Sequence, residues 1–373
     1  MHYDVCIIGL GAMGSATAWS LSTSGASVVG LDQFSLGHDK GSSHGETRII
    51  RSVYFEGSVY TPLVRAAYAA WDRIHQQHGR QFLLITGGLD ISLRQDSVYE
   101  AALTAARSGG FPHDVLDQAD LARRFPMLDL PSNARAVWSP DSGLLDSDDA
   151  TRWMRSEAIH NGADLRGETR VTGWSKTTAG YQIQTSTGPI TARKLIIAAG
   201  AWAADLIPQL APILTPERQV LCWYGQSDMS AYNDMPIFQY ETEDSERYYA
   251  FPPHKGAGLK FGLYHHRRQR GSQYIKSSGV EPADKTALAE GLNQCLPGLS
   301  AHPQRYAECR FTLAPDDRFL IGLMPGDKDM VVLAPCSGHG YKFAPAIGDI
   351  ATELALEKDV SVDVSGFALE RVL

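Results

Sequence analysis

Three glycines between an aliphatic run and an alanine-rich stretch limit what this chain can fold into more than any other feature. Tyr3–Leu10 (YDVCIIGL) predicts a buried strand, Ala12–Ser24 a helix rich in small residues, and Ser27–Asp32 (SVVGLD) a second strand after a turn at Ser24–Gly25. At the first strand-to-helix turn stands Gly9-Leu10-Gly11-Ala12-Met13-Gly14. Gly9 allows the tight turn, Gly11 lets a pyrophosphate approach the backbone, and Gly14 lets the helix lie close to the strand. Free amides at the helix start, including those of Ala12 and Met13, meet the phosphate charge, and Asp32 can hydrogen-bond an adenosine ribose. The unit predicts dinucleotide binding. It leaves FAD and NAD both open and disfavours NADP, whose 2′-phosphate would meet the Asp32 carboxylate.

At 373 residues the chain is long enough for two domains. A second aliphatic strand, Lys194–Ala199, ends at Gly200, and its lead-in Gly188–Ala192 reads as a hairpin arm. Met330–Ala334 leads into a glycine-containing loop and a helix over Ala344–Leu356. Ligands of open α/β sheets sit beyond the carboxyl ends of the strands, so three such distant transitions are expected to converge on one ligand. That makes the nucleotide domain discontinuous, over 1–80, 145–217 and 310–373, with 81–144 and 218–309 forming a second, substrate domain. From Val220 to about Gly271, aromatic and polar residues alternate in short runs (CWYG, FQYE, YYAFP, LKFGLYHH), which predicts antiparallel strands.

A formal charge of -8 and a pI near 5.8 argue against a general nucleic-acid binder. Cys6, Cys222, Cys295, Cys309 and Cys336 are widely spaced, with no CxxC pair and no zinc-ligand rhythm, so they are expected to be reduced thiols of a cytoplasmic protein without a metal site. No apolar run reaches the roughly 18 residues needed to cross a membrane. Val5–Leu10 imitates a signal-peptide core only superficially, because Asp4 precedes it and glycines follow.

Downstream of the glycine motif lies Gly41-Ser42-Ser43-His44-Gly45-Glu46-Thr47-Arg48-Ile49-Ile50-Arg51. A helical turn would place its two arginines on one side and a strand on opposite faces. Without further context, they serve as well for pairing with Glu46 and Glu56 as for binding a ligand. Together with GLGAMG, this segment, YYAFP followed by GLKFG, ECRFTLAPDDRFLIG and APCSGHGYKFAPAIG make the whole chain resemble the monomeric sarcosine oxidase and N-methyltryptophan oxidase family of flavoproteins. The motifs occur in that family's order and nearly its spacing. The resemblance implies an α/β fold with a Rossmann-like FAD-binding domain of the glutathione-reductase and D-amino-acid-oxidase type. The second domain would be built on an antiparallel or mixed sheet.

The resemblance also assigns roles. Cys309, followed by Thr312, Pro315 and Asp316 in the family's arrangement, matches the cysteine bonded through sulfur to the 8α-methyl of FAD; alone it would read as a small buried hydrophobe. Arg51 and Lys342 match the two cations that hold the substrate carboxylate, whose lost hydration two fixed donors replace. Lys260 matches the lysine that promotes reaction of reduced flavin with oxygen. Its neighbours Leu259 and Phe261 admit that role only if strand alternation turns Lys260 to the other face. His44 and Arg48 match residues near the flavin ring, and His339, in the SGHG loop, one that borders flavin and substrate. Tyr249, Phe251 and Phe311 match an aromatic substrate wall, suited to a methylated amine. Ser42, Ser43, Val171, Gly200, Gly338 and Gly340 are expected beside the cofactor.

The chain departs from the family at several points. Four residues after the lysine, the sarcosine oxidases carry a histidine; here Tyr264 stands there and His265 follows, so either a one-residue bulge restores His265 or its role has changed. The basic stretch His266-Arg267-Arg268-Gln269-Arg270 reads as solvated surface or as a steering site for a substrate with a second acidic group. Phe311 replaces a tyrosine, and Ser43 the first histidine of a pair. The leading expectation is FAD-dependent oxidation of a secondary α-amino acid by O2 in a monomer. A flavin dehydrogenase or oxidase of another cyclic or primary amino acid is the alternative, and a non-catalytic flavin-binding protein the third reading.

Overall fold

The computed structural model describes residues 2–95, 97–225, 228–274, 279–299, 302–334 and 337–373. The first strand, His2–Ile8, lies in the middle of a parallel core, between Ile190–Ile197 and Val28–Leu31. Val28–Leu31 pairs in turn with Asp164–Arg166, and Leu195–Ile197 pairs with Met330–Val332. These strands read as unbroken aliphatic runs because both faces are covered. Helices Ala12–Thr23 and Ala344–Ala355 cover one face, and a second apolar cluster around Tyr181, Ile183 and Leu210 covers the other. Gly348 permits the helix contact, since a Cβ there would come within 2.7 Å of the Ala16 backbone. The expected hairpin is present: Gly180–Thr185 runs antiparallel to the start of Ile190–Ile197.

A second sheet runs in the order Arg305–Leu313, Thr215–Tyr224, Leu259–Tyr264, Arg247–Phe251, Ile237–Glu241, Gly88–Ser92, Arg135–Ser139, Asp114–Leu116. It is mixed, because Ile237–Glu241 runs parallel to Gly88–Ser92 while the other pairs are antiparallel. The segment expected to alternate from Val220 to about Gly271 contributes to four of its strands, which begin at Thr215 and end at Tyr264. One face carries Val220, Cys222, Phe238, Tyr240, Tyr248, Leu259, Phe261 and Leu263 into an apolar cluster against helix Pro282–Cys295. Residues of opposite parity face the nucleotide domain. The expected boundaries at 217 and 310 fall inside the strands Thr215–Tyr224 and Arg305–Leu313, which pair without interruption from Thr215–Leu313 to Trp223–Arg305.

Cys6, Cys222, Cys295 and Cys309 are free and buried. Cys336, and with it the Pro335-Cys336 portion of the APCSGHG motif, lies outside the described residues. Among the described residues no helix is long and apolar enough to cross a membrane.

Candidate active site

The glycine turn is built as its sequence demands. Gly9 has φ +96°, a left-handed value that favours glycine, and a Cβ there would strike the Ala198 carbonyl. Asp32 accepts from the amides of Leu10 (2.9 Å) and Phe34 (3.0 Å) and lies 3.4 Å from His38 Nε2. Burial pushes its carboxyl up, but the His38, Phe34 and Leu10 hydrogen bonds outweigh this and hold it below the usual carboxylate range. Ser43 Oγ accepts from the Ala12 amide at 2.9 Å, tying the downstream loop to the helix start.

From this cradle a cavity of about 830 Å³ runs to the second sheet. It is lined by Gly9, Gly11, Ala12, Met13, Asp32, Ser42, Ser43, His44, Arg48, Val171 and Gly200. Further along its walls are Tyr249, Phe251, Lys260, Cys309, Phe311, Gly338, His339, Gly340, Arg51 and Lys342. Gly14 lies behind the turn, where a Cβ would run into the Gly9 carbonyl. The strand Thr47–Ile50 turns Arg48 into the cavity. Its guanidinium donates to the carbonyls of Thr47 (2.8 Å), Ser42 (2.6 Å) and His44 (2.5 Å), so it enters as a charge held on carbonyl oxygens rather than on a carboxylate. His44 Nε2 is buried with no hydrogen-bond partner among the described residues, and burial together with Arg48 pushes the imidazole down to about 4. A long cavity with a phosphate-accepting turn at one end and the buried His44 imidazole and a carbonyl-held guanidinium farther along fits FAD.

Strand alternation builds the floor. Asp90, Gln239, Tyr249, Gly262 and Leu221 stand opposite one another across five strands, and Phe251, Lys260 and Trp223 form the adjacent row. Lys260 points away from Leu259 and Phe261, as its proposed role requires. Its ammonium donates to the carbonyls of Gly45 (2.8 Å) and Thr47 (2.7 Å) and lies 4.7 Å from the Phe251 ring centroid. Burial, then Arg48, holds its pKa well below the ordinary lysine value. Gly262 is needed because any Cβ there would enter the Tyr249 ring, and Gly338 because one would enter the Phe311 ring. Cys309 lines the cavity in the strand beyond; burial pushes its thiol up, while Arg48 and Lys260 pull it back.

At the far end Arg51 is 2% exposed, and it is already engaged. It pairs with Glu56 at 2.5 Å, donates to the Val53 carbonyl at 3.1 Å and lies 4.0 Å from Asp90. Of the two pairings left open by the sequence, Arg51 with Glu56 exists, whereas Glu46 pairs with Arg305. Lys342 donates to the His339 carbonyl at 2.8 Å. Burial and the Arg51 charge push Lys342 down to about 7, and burial pushes Asp90 up to about 6. His339 stacks on Phe319, its Nδ1 lies 2.6 Å from the Tyr54 hydroxyl, and burial holds it down to about 3.

His265 is not restored to the cavity by a bulge. The strand Leu259–Tyr264 pairs regularly up to Tyr264–Arg247, so Tyr264 faces the cavity and its hydroxyl donates to the Ser337 carbonyl. His265 then turns away with φ +57°, and its Nδ1 lies 2.7 Å from Glu217 Oε1. The basic stretch is likewise drawn aside: His266 and Arg267 bond Asp284, Arg267 also bonds Glu281, and Arg270 bonds Glu217. Several cavity residues escaped the sequence reading. Arg152 and Arg155 lie one turn apart on helix Ser147–His160 and line the cradle, a spacing visible in SDDATRWMRSEAIH. Gln239 follows from the alternation of FQYE; Asp90, buried 4.0 Å from Arg51 behind the cavity wall, was signalled by a carboxylate inside the otherwise uncharged strand GLDIS.

This arrangement of cradle, cavity and sheet floor defines a flavin-dependent oxidoreductase. The model of the DAO family, FAD dependent oxidoreductase, matches residues 4–354, and the chain belongs to that family. It is 33% identical over 378 residues to monomeric sarcosine oxidase of Bacillus sp. (strain B-0618), covering 99% of this chain and 96% of that protein. It is also 33% identical over 379 residues to N-methyl-L-tryptophan oxidase of Yersinia pestis (strain Pestoides F), covering 100% of both. Among solved structures, NikD, described as an unusual amino acid oxidase essential for nikkomycin biosynthesis, shares the fold with a TM-score of 0.84 at 22% identity, over 98% of this chain and 97% of that one.

Proposed function

We propose that the protein oxidises a secondary α-amino acid, in the simplest case an N-methyl one such as sarcosine, and passes the electrons to O2. The observation that carries this reading is the pair of buried cations, Arg51 and Lys342, at the aromatic end of the same cavity that begins at the dinucleotide turn. The two relatives at 33% identity are named for N-methyl amino acids. When bound, FAD supplies the acceptor for a hydride equivalent from the carbon next to nitrogen and the donor that reduces O2 to hydrogen peroxide.

Arg51 and Lys342 bind the carboxylate: Arg51 offers a planar face and Lys342 a point charge. Tyr249, Phe251, Phe311 and Phe55 exclude water, and this dry setting favours the neutral amine without a dedicated base. Loss of the hydride equivalent leaves an iminium ion, which water hydrolyses to formaldehyde and the primary amino acid when the substituent is methyl. Lys260, held on two carbonyls, stabilises negative charge developing on oxygen. The thiol of Cys309 is the attachment point for the cofactor in this reading, and Arg48 provides the neighbouring positive charge. The reading includes a cytoplasmic monomer, in keeping with a relative named as monomeric.

The test is a peroxide-coupled screen of N-methylated glycine, glutamate and tryptophan together with proline-ring analogues. Peroxide formation with an N-methyl or cyclic amino acid is expected. Absence of both peroxide and flavin bleaching across the series would reject the reading. Rapid bleaching followed by slow aerobic recovery would make the protein a dehydrogenase.

A further inference from the structure

The substrate end of the cavity is close to charge balance before any ligand enters. Arg51 and Lys342 face Glu56 and Asp90, and the four side chains lie within one buried cluster. A third cation lies against two of the rings that line the cavity. Arg247 lies two residues before Tyr249 on the strand Arg247–Phe251, and so on the same face of the sheet. Its guanidinium lies 4.4 Å from the ring centroid of Tyr264 and 5.8 Å from that of Phe55, both of which line the cavity. It makes no hydrogen bond or ion pair with any described residue. Glu241, opposite it in register, directs its carboxylate elsewhere, accepting from the Ser92 hydroxyl at 2.8 Å and the Val98 amide at 3.1 Å.

We infer that Arg247 receives a second anionic group of the substrate, so that the preferred substrates are secondary α-amino acids whose side chain ends in a carboxylate. This rests on the reading above, in which Arg51 and Lys342 hold the α-carboxylate. Arg51 approaches the same Phe55 ring at 3.9 Å, so both guanidinium groups lie against one phenyl ring of the cavity wall. The guanidinium of this half-buried residue, flanked by two aromatic rings and with no hydrogen-bond partner among the described residues, is suited to bidentate carboxylate recognition. A neutral side chain would leave that group unpaired, whereas a carboxylate completes it.

N-Methylglutamate and N-methylglutamine differ in charge at nearly constant shape, so they isolate the effect. The native holoenzyme should show kcat/KM for the acid exceeding that for the amide by about tenfold or more, the scale of a charge pair removed from bulk water. In Arg247→Gln that ratio should collapse toward one, and in Arg247→Lys it should partly survive. A ratio at or below one in the native enzyme, or an unchanged ratio in Arg247→Gln, would overturn the inference. If no amino acid is turned over, the reaction assignment fails by itself. Binding of glutarate against butyrate, read from the visible flavin spectrum of native and Arg247→Gln holoenzyme, then decides: a preference for glutarate that depends on Arg247 upholds the site, and equal affinity rejects it.

Discussion

Raising the pH from 6 to 8 should weaken binding of a simple carboxylate about tenfold through Lys342 alone. The ammonium is buried beside Arg51, which brings its pKa down to about 7. Its charged fraction therefore falls from roughly nine-tenths to one-tenth across that interval, a change of about 1.4 kcal/mol in the free energy of binding to the charged form. A bound carboxylate favours charged Lys342, so above pH 7 the complex holds more protons than the free enzyme. By linkage, affinity must fall as pH rises through 7. Asp90, pushed up to about 6, adds to the lower part of the slope, because above its pKa it brings negative charge toward Arg51. His44 at about 4 and His339 at about 3 titrate below the window. The assay is titration of the holoenzyme with butyrate, which has no amine to titrate, followed by visible flavin absorbance from pH 5.5 to 9. Lys342→Arg, which keeps its charge throughout, should flatten the upper limb, and Asp90→Asn should remove the lower one. Flat affinity from pH 6 to 8 in the native enzyme, or an undiminished slope in Lys342→Arg, would refute the reasoning.

Three further outcomes follow from the floor of the cavity. After acid precipitation the native protein should keep its yellow colour in the pellet, and Cys309→Ser should release FAD to the supernatant; free FAD from the native protein would reject the linkage. Lys260→Met should leave anaerobic flavin reduction nearly intact while slowing reoxidation by O2 by about two to three orders of magnitude, measured by stopped flow. Gly262→Ala drives a methyl group into the Tyr249 ring and should cost about 1–3 kcal/mol in chemical denaturation while raising KM; native stability and kinetics would show that the ring can move aside freely.

Local chemistry made the dinucleotide turn legible, because Gly9, Gly14 and Asp32 act within one strand-helix-strand unit. The orientation of Lys260 was legible for a related reason: a two-residue period in LKFGLY assigns faces without knowledge of the partners. His265 was not legible. Its displacement follows from pairing that stays regular up to Tyr264, after which the backbone turns left-handed at His265 itself, where no glycine gave warning. Engagement of Arg51 by both Glu56 and Asp90 joins a nearby loop to a strand almost forty positions away, and Arg247 meets Phe55 across an even longer interval. Such contacts depend on how sheets are laid against one another, which spacing along the chain does not encode.

The contact between helices Ala12–Thr23 and Ala344–Ala355 also orders events during synthesis. The first strand and its glycine turn leave the ribosome early, but their flanking strand Ile190–Ile197 and covering helix come much later. Gly338, Gly340 and Lys342, which close the cavity, emerge only just before that helix. A nascent chain therefore carries a glycine turn without walls, and tight flavin capture must await translation of nearly the entire described fold. Cofactor supply then acts on finished chains, and apoprotein accumulating under flavin shortage should be an almost complete fold able to take up FAD when it is added.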